Sequence, residues 1–468
     1  MTKSIAVKDV SPDTFDLYKK REKVYQRAIT GRFEKFRVLT IWVTLSIYFL
    51  LPWVQFADRQ AVLFDLPERQ FHIFWFSFWP QDLVLLSWLL IIAAFALFFF
   101  TNLLGRVWCG YTCPQTVWSK FFNWFEEITE GNRNQRIRLD ASPLSANKVI
   151  RKSAKHFLWF ALALATALTF VGYFTPISDL IFRFANIDLG GWEAFWILFF
   201  TAATYINAGW MREQVCTYMC PYARFQSVLF DKDTLVISYD TERGEPRGSR
   251  KKDANYEKEG LGSCIDCRLC VQVCPTGIDI RDGLQVDCIG CAACIDACDS
   301  IMDKMGYERG LVRYTTENVL EGKSLKILRP RLIGYGLALL VMSTLFLYVL
   351  STRIPLELDI IRDRNQLYRE TSEGMIQNVY TLKILNKDQA TRTYQIHVEG
   401  EQAVSYHGKQ LVSVEPGEVL SLPIALEVDP GFVTKPTSDV IFTIVAKDDN
   451  TVKVAEETRF ISPALAGK

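Results

Sequence analysis

The chain has 468 residues, with 53 Lys or Arg and 52 Asp or Glu, which gives a formal net charge of +1 at pH 7. This balance provides no general attraction to nucleic acid, so we predict no nucleic-acid partner. Hydrophobic residues make up 49% of the chain and charged residues 22%, a mixture that indicates very apolar segments beside very polar ones. At about 150 residues per domain, the length predicts about two to four domains.

Residues 1–37 contain no hydrophobic core typical of a secretion signal, so we predict a retained cytoplasmic segment. Five segments without a charged residue follow, each of about 20 residues and therefore long enough to cross a bilayer. They are residues 38–56, 83–104, 156–178, 194–211 and 332–352. A buried helix of a soluble protein rarely runs so long without a charge. We therefore predict five transmembrane helices in contact with lipid, four within residues 38–238 and the fifth at 332–352.

Lysine and arginine are distributed unevenly between the segments that flank these helices. They number ten in residues 1–37, nine in 105–155 and eighteen in 212–331, against two in 55–80 and one in 176–191. Positively charged loops tend to stay in the cytoplasm. We therefore predict that the N-terminus, the 105–155 loop and the cysteine-rich segment within residues 212–331 face the cytoplasm, and that residues 353–468 lie on the opposite side.

Two copies of a C-x-x-x-C-P motif follow predicted helices: "WCGYTCPQ" contains Cys109 and Cys113, and "VCTYMCPY" contains Cys216 and Cys220. Proline favours the first position of a helix, so each second cysteine should lie at a helix N-terminus, where the helix dipole lowers the pKa of a thiol. Four such thiols are suited to Cu(I) or another thiophilic metal. Three alternatives stay open: buried structural cysteines, a redox-active disulfide, or ligands of a further iron–sulfur cluster.

Residues 239–258 are charged and poor in apolar residues, which predicts a solvated linker. The next segment, 259–315, contains two cysteine runs, each with three cysteines two residues apart and a fourth after three more. This is the spacing of a bacterial two-cluster ferredoxin, in which the fourth cysteine of each run binds the other cluster. We assign Cys264, Cys267, Cys270 and Cys298 to one [4Fe–4S] cluster, and Cys274, Cys288, Cys291 and Cys294 to the second.

Zinc sites usually show two C-x-x-C pairs at least a dozen residues apart, so two complete runs in tandem do not favour zinc. The second run departs from the ferredoxin pattern in one respect. Its fourth cysteine is followed by Asp299, whereas a proline follows the fourth cysteine of the first run. The sequence contains no G-x-G-x-x-G dinucleotide fingerprint. We therefore predict that electrons come from quinol or a protein partner rather than from a bound nicotinamide.

Beyond the last predicted helix, residues 353–468 contain alternating or apolar segments of strand length, separated by turn residues. The clearest are residues 378–387, 392–400, 419–429 and 439–449. Roughly seven short strands in about 90 residues predict an immunoglobulin-like β-sandwich. The fold class is therefore a multi-domain membrane protein: a five-span helical bundle, an inserted two-[4Fe–4S] ferredoxin domain and a C-terminal β-sandwich.

The motif set resembles the cytochrome c oxidase accessory protein family known as CcoG, FixG or RdxA, and more distantly the NapH-type membrane ferredoxins, which lack the outer domain. This resemblance implies a bacterial inner-membrane protein with a periplasmic sandwich, which reduces Cu(II) to Cu(I) for assembly of a cbb-type cytochrome c oxidase. It implies oxidase subunits or copper chaperones as partners, and copper handling by Cys109, Cys113, Cys216 and Cys220. A quinol-linked relay without copper chemistry and a non-enzymatic assembly scaffold are the alternatives.

Overall fold

The computed structural model describes residues 23–463, apart from residues 57–58 and 253–259 and the single positions 365, 389, 402 and 434. Most of the predicted N-terminal segment and the end of the predicted linker therefore lie outside the described residues. The chain forms two compact units. One comprises residues up to Gln55 together with Ala94–Leu337, and the other comprises Phe56–Ala93 together with the residues from Ala338 onward.

Five helices in the described part of the chain are long and apolar enough to cross a membrane, which confirms the predicted five-span class. Their bounds are Arg32–Trp53, Pro80–Leu104, Ala146–Val171, Gly191–Met211 and Pro330–Ser351. In Pro80–Leu104, none of the most apolar stretch is buried by the protein itself. Such exposure of apolar side chains is stable only where lipid is the solvent.

The α-helices of the described residues are α1 (Arg32–Leu50), α2 (Leu83–Leu104), α3 (Val107–Tyr111), α4 (Pro114–Glu130), α5 (Arg133–Ala141), α6 (Ala146–Val171), α7 (Ile177–Ala185), α8 (Gly191–Thr204), α9 (Pro221–Leu229), α10 (Thr241–Gly244), α11 (Leu269–Gln272), α12 (Ala293–Met305), α13 (Glu317–Leu320) and α14 (Pro330–Ser351). Short 3₁₀ turns span Leu51–Trp53, Pro80–Asp82, Ile280–Asp282 and Pro430–Phe432.

The third membrane helix, α6, begins at Ala146 rather than at residue 156 as predicted. The Ser145 side chain accepts a hydrogen bond from the Lys148 amide at 3.3 Å and caps the helix. The early turns contain Lys152 and Lys155, whose ammonium groups lie 2.9 and 3.1 Å from a Glu130 carboxylate oxygen. The ion pairs with Glu130 compensate the charges of these lysines within the helix. A search for uncharged segments leaves out these first turns, which is why the predicted start is too late.

Helix α8 continues into a π-helix at Tyr205–Met211, and a second π-helix spans Val215–Met219 just before α9. The wider turn of a π-helix is uncommon and often marks a functional site. The second π-helix contains Cys216 and ends at Met219, directly before Cys220, so the backbone departs from regular α-helix within the second C-x-x-x-C-P motif.

The strands of the described residues are β1 (Gln55–Phe56), β2 (Arg59–Gln60), β3 (Val62–Asp65), β4 (Gln70–Ile73), β5 (Phe76–Phe78), β6 (Val236–Tyr239), β7 (Val312–Thr315), β8 (Leu356–Arg362), β9 (Arg369–Glu370), β10 (Ile376–Asn386), β11 (Arg392–Gly400), β12 (Ser405–His407), β13 (Leu411–Val414), β14 (Val419–Val428), β15 (Thr437–Ala446) and β16 (Lys453–Ile461). Strands β3, β4 and β5 form a small antiparallel sheet that the sequence analysis did not predict.

The ferredoxin region folds around α12 and a two-stranded antiparallel sheet of β6 and β7. Strand β6 precedes the predicted linker and β7 follows the cysteines, so the chain on both sides of the linker belongs to one body. The linker itself is not freely solvated where the structure describes it. Arg250 donates to the Gly262 carbonyl at 2.8 Å, and the Gly248 amide donates to the Cys264 carbonyl at 3.2 Å. The carbonyls at the start of the first cysteine run need donors, and this segment supplies them.

The C-terminal domain is a sandwich of two antiparallel sheets, which confirms the immunoglobulin-like prediction. One sheet has the order β12-β14-β10-β8 with β9 also on β10, and the other has the order β13-β11-β15-β16. Along β10 the residues Tyr380, Leu382 and Ile384 are buried at period two, and the Tyr380 ring lies 5.8 Å from that of Phe442 on β15. The described residues of this domain contain nine strands rather than roughly seven, because β9 and β12 are too short to show an alternating pattern.

Candidate metal centres

Cys264, Cys267, Cys270 and Cys298, which we call the outer thiol set, line one cavity. The loop that joins the first three of these cysteines is tightly curved, since Asp266 and Arg268 have φ of 52° and 54°. Such positive φ values lie in the left-handed region, which few side chains adopt. The fourth cysteine reaches the same cavity from α12. The outer thiol set is thus formed by one left-handed loop and one helix.

Arg281 fixes this loop through two carboxylates. Its guanidinium lies 2.5 Å from Asp266 and 2.5 Å from Asp279, and its side chain is buried. Burial raises the pKa of the Cys270 and Cys298 thiols to about 12. A thiol in such a setting keeps its proton at neutral pH unless a metal cation replaces it.

Cys274, Cys288, Cys291 and Cys294 form the inner thiol set. Burial, and next the charge of Cys291, raise the pKa of Cys274 and hold that of Cys294 well above its usual range. The pKa of Cys288 rises to about 12, first through burial. Gly290 and Ala292 flank Cys291 with φ of 68° and 60°, so a second left-handed loop brings these thiols together. Cys267 of the outer set is exposed to solvent, whereas Cys291 is buried.

Each set brings together four cysteines, which is the number of thiolates that a [4Fe–4S] cubane takes. Within the described residues, no group of three or more His, Cys, Asp or Glu side chains is arranged to hold one metal ion. When bound, [4Fe–4S] clusters supply one-electron transfer. The assignment of each cysteine as a ligand stays a proposal.

The two C-x-x-x-C-P motifs form a third thiol group, which we call the membrane-edge thiol cluster: Cys109, Cys113, Cys216 and Cys220. Cys113 directly precedes α4 and Cys220 directly precedes α9, each with proline at the first helical position. This local prediction is confirmed. Cys109 lies in α3 and Cys216 in the second π-helix. All twelve cysteines are free thiols in the structure.

The prediction that a helix N-terminus lowers the thiol pKa is wrong for Cys113. Burial raises its pKa, although the backbone amides of Thr116 and Gln115 act in the opposite direction. Burial, and next the neighbouring Cys113 thiol, raise the pKa of Cys109 to about 11 and that of Cys216 to about 12. Desolvation therefore outweighs the dipole, and thiols of the two motifs lie close enough to act on one another's pKa.

Side chains from α4 and α9 hold the membrane-edge thiol cluster in place. Gln226 of α9 is fully buried and donates from Nε2 to the Cys109 Sγ at 3.5 Å. Gln115 of α4 donates to the carbonyls of Asn207 and Arg212 at 2.9 and 3.0 Å, next to the second motif. The Glu126 carboxylate, also on α4, lies 2.7 Å from Arg212. Each repeat thus contacts the other through a polar side chain.

The membrane-edge thiol cluster lies directly against the inner thiol set. Arg106, just before the first motif, donates to the Cys288 carbonyl at 3.1 Å, to the Val286 carbonyl, and to the Ala223 carbonyl of α9 at 2.5 Å. One buried guanidinium therefore joins both motifs to the loop of the inner thiol set. Among the described residues, the hydrogen bonds given for Arg106 go to carbonyl oxygens, and its positive charge favours anionic groups nearby.

The two sites approach one another closely at Gly110. A Cβ atom at this position would lie 2.8 Å from the Gly290 carbonyl oxygen and 2.9 Å from the Cys291 Cα. These are backbone atoms, so Gly110→Ala should separate α3 from this loop. We expect a loss of about 1–3 kcal/mol in the free energy of unfolding, measured by thermal or denaturant unfolding in detergent, with reduced iron retention.

Gly334→Ala is the matched control for this prediction, since a Cβ at that position of α14 meets nothing within 4 Å. Alanine favours helix over glycine by up to about 1 kcal/mol, so this variant should be neutral or slightly stabilised. Equal behaviour of the two variants would contradict tight packing at Gly110.

The sequence analysis missed Arg106, Gly110 and Gln226. Arg106 and Gly110 lie beside the first motif and Gln226 follows the second, but neither composition nor spacing distinguishes a buried arginine or glutamine from an exposed one. The short distance along the chain between these three residues and the motifs was the one feature that could have indicated a role for them.

These features define a class of protein, the membrane-anchored iron–sulfur electron carriers. The features are the apolar spanning helices, the two ferredoxin thiol sets and the thiol cluster at the end of the helices. Comparisons with known families agree. Residues 211–317 match a 4Fe–4S dicluster domain, residues 85–130 match a 4Fe–4S binding domain, and residues 346–463 match the IG-like fold at the C-terminal of FixG.

Nitrogen fixation protein FixG of Rhizobium meliloti (strain 1021) is 37% identical, over 97% of this chain and 95% of that protein. Protein RdxB of Cereibacter sphaeroides is 40% identical, over 88% of this chain and 89% of its own length. Protein RdxA of the same organism is 38% identical, over 87% and 88%. A crystal structure of a FixG-related protein from Vibrio parahaemolyticus is 40% identical, covering 23% of this chain and 96% of that one, with a TM-score of 0.22.

The chain belongs to the FixG family. It is accordingly a membrane iron–sulfur electron-transfer protein that binds 4Fe–4S clusters, and the predicted recognition and fold class are confirmed.

Proposed function

We propose that this protein is a cupric reductase, which passes electrons from its ferredoxin clusters to Cu(II) at the membrane-edge thiol cluster and thereby supplies Cu(I) for assembly of a cbb-type cytochrome c oxidase. The observation that carries the proposal is the contact between the inner thiol set and the membrane-edge thiol cluster, made by Arg106 and Gly110. Electron transfer weakens steeply with distance, and this contact keeps the gap small.

The two ferredoxin sets differ in their access to solvent, which supports a direction of electron flow. In this proposal the outer thiol set holds the cluster that receives electrons, since Cys267 is exposed. The inner thiol set holds the second cluster, screened from water and next to the membrane-edge thiols. Cys298 and Cys294 lie one turn apart on α12, so a single helix fixes the spacing between the two sets.

The topology, donor and partners form a second part of the proposal. The counts of lysine and arginine support a bacterial inner-membrane protein with its N-terminus and ferredoxin in the cytoplasm and its sandwich in the periplasm. The electron donor is then a quinol in the bilayer or a cytoplasmic reductant. The periplasmic sandwich would bind oxidase subunits or copper-carrying proteins.

Full-length protein, purified anaerobically in detergent, reduced with dithionite and freed of excess reductant, tests this proposal. Each reduced cluster gives one electron, and each Cu(II) takes one, so we expect at least about two Cu(I) per chain from the two ferredoxin clusters. A Cu(I)-specific chelator provides the measurement. As-isolated oxidised protein is the control for reduction by free thiols.

The contribution of the membrane-edge thiol cluster is tested by replacing all four of its cysteines with serine. This variant should keep its ferredoxin clusters but lose rapid Cu(II) reduction. Unchanged reduction would remove the thiols from the path. If wild-type protein leaves Cu(II) unreduced but its clusters accept electrons from a quinol analogue, the quinol-linked relay replaces the present proposal.

A further inference from the structure

A large cavity lies beside the inner thiol set, at the start of the first membrane helix. Its volume is about 1110 Å³, and residues of α1, α3 and β7 and the end of α2 contribute to its walls. We propose that this cavity binds a membrane quinol, which is then the electron donor of this protein. This role rests on the proposed function for the electron path from the inner thiol set onward, and it selects the quinol over a cytoplasmic reductant.

The first argument is where the cavity meets the membrane. Phe36 and Leu39 of α1 line it and are 55% and 59% exposed, and both lie within the spanning helix Arg32–Trp53. Apolar side chains exposed on a spanning helix face lipid. Arg32 and Lys35 line the cavity one turn earlier, where basic side chains reach the head groups. The ligand therefore comes from the bilayer and has an apolar part and a polar end.

The second argument is the size and the aromatic lining of the cavity. Sites for small ligands usually measure about 300–1,000 Å³, so a quinol ring fits here together with the first units of its tail. Two pairs of aromatic rings line the cavity: Phe33 and Tyr314 with centroids 5.5 Å apart, and Phe36 and Tyr111 with centroids 5.6 Å apart. A flat quinol ring stacks on such side chains, and an acyl chain lacks this geometry. The walls therefore favour a quinol over a phospholipid.

The third argument is the polar contact between the cavity and the inner thiol set. The Tyr314 hydroxyl donates to the Gly290 carbonyl at 2.7 Å, and Gly290 directly precedes Cys291. The Tyr111 hydroxyl forms a hydrogen bond with that of Tyr314. Because the Tyr314 proton is given to Gly290, Tyr111 is the donor, and its oxygen keeps lone pairs that accept from a quinol O–H. A lipid phosphate, which only accepts hydrogen bonds, finds no donor in this pair.

The reaction balances on the ferredoxin clusters. Oxidation of a quinol to a quinone breaks both O–H bonds and releases a pair of electrons and a pair of protons. Each cluster accepts one electron: the first passes through the inner thiol set to the outer one, and the second stays at the inner set. Both protons go to water on the side of the exposed Arg32 and Lys35. The outer set, which a soluble reductant reaches first through Cys267, here takes its electron from the inner set.

Two measurements on anaerobically purified full-length protein in detergent test this site. The first is reduction of the clusters by menadiol, followed by the loss of their visible absorbance. The second is photo-cross-linking with an azidoquinone, which needs no electron transfer, with the labelled peptides identified by mass spectrometry. We expect menadiol to reduce the clusters, and we expect label on the first turns of α1 or on β7 that menadione suppresses.

Leu39→Trp and Ile47→Trp form a matched pair of variants. Both residues lie on α1 and both are 59% exposed, but of the two only Leu39 lines the cavity. The indole in Leu39→Trp takes up room in the cavity, so the menadiol concentration for half-maximal reduction should rise about tenfold or more, and the cross-link should fall in parallel. Ile47→Trp should behave like wild type. Equal behaviour of the two variants would overturn the quinol site.

Absence of label at the cavity, or label without reduction by menadiol, would overturn the proposed donor. Phospholipid that native mass spectrometry finds on wild type but not on Leu39→Trp, with no quinone label, would assign the cavity to a lipid instead. The cupric reductase is tested separately, because dithionite-reduced protein needs no quinol. Cu(I) formation after dithionite without any response to menadiol contradicts the quinol site alone. Cluster reduction by menadiol without Cu(I) formation contradicts only the cupric reductase.

Discussion

Replacing Cys294 with alanine should remove about four iron atoms per chain and reduce the rate of Cu(II) reduction to that of protein without clusters. Cys294 lies in the inner thiol set, at the start of α12. Loss of one ligand from this set interrupts the only path that the proposal provides. Iron analysis and the Cu(I)-chelator assay on the same anaerobic preparation measure both effects.

Ile295→Val is the matched control, because Ile295 is the next residue of α12 and is also buried. Shortening this side chain costs about 0.5–1.5 kcal/mol, but it removes no sulfur, so iron content and copper reduction should match wild type. If Cys294→Ala retained the full iron content, the assignment of the inner thiol set would be wrong. If it lost the iron but still reduced Cu(II), the electron path would be wrong.

Glu126→Gln should destabilise the protein by about 3–5 kcal/mol, the range for removing one partner from a buried ion pair. The Glu126 side chain is almost fully buried and lies 2.9 Å from Arg136 and 2.7 Å from Arg212. Burial alone would raise the pKa of Glu126, but the charge and hydrogen bond of Arg212 lower it to about 2. The neutral amide leaves both guanidinium groups without that charge.

The same residue predicts a pH dependence. A carboxylate whose pKa falls on folding stabilises the native state above its unfolded pKa, and this contribution disappears as the pH falls through the folded value. The stability due to Glu126 should therefore be present at neutral pH and decline between about pH 4.5 and about pH 2. Unfolding in detergent across this range should show a larger decline in wild type than in Glu126→Gln, in which other carboxylates with lowered pKa values, such as Asp140 and Asp279, still titrate.

Glu317→Gln controls for the loss of an ordinary ion pair. Glu317 lies 3.1 Å from Lys232, and both side chains are about 60% exposed. Exposed pairs contribute about 0–1 kcal/mol, so this variant should unfold close to wild type. If the two variants lost a comparable free energy of unfolding, burial would not make the Glu126 ion pairs more stabilising than an exposed pair.

Some predictions depended on local patterns and others on distant contacts. The proline of each C-x-x-x-C-P motif predicts a helix start, and α4 and α9 begin there because that preference needs no tertiary partner. The lowered thiol pKa expected at the same position fails for Cys113, because burial is a property of the folded environment. Residues 239–252 read as a linker by composition, yet Arg250 is held by carbonyls twelve or more residues away.

The sequence by itself determined the class of this protein. Uncharged stretches of about 20 residues indicate membrane spans, the cysteine spacing indicates two cubanes, and alternation over strand lengths indicates a sandwich. The sequence is sufficient for these predictions because each signal is local or periodic. Only the tertiary structure decided that the two C-x-x-x-C-P motifs, more than a hundred residues apart, form one cluster against the inner thiol set. That juxtaposition depends on the buried Arg106, on close backbone contact at Gly110 and on Glu126 pairing across the repeats, and no pattern along the chain encodes which buried polar groups will meet.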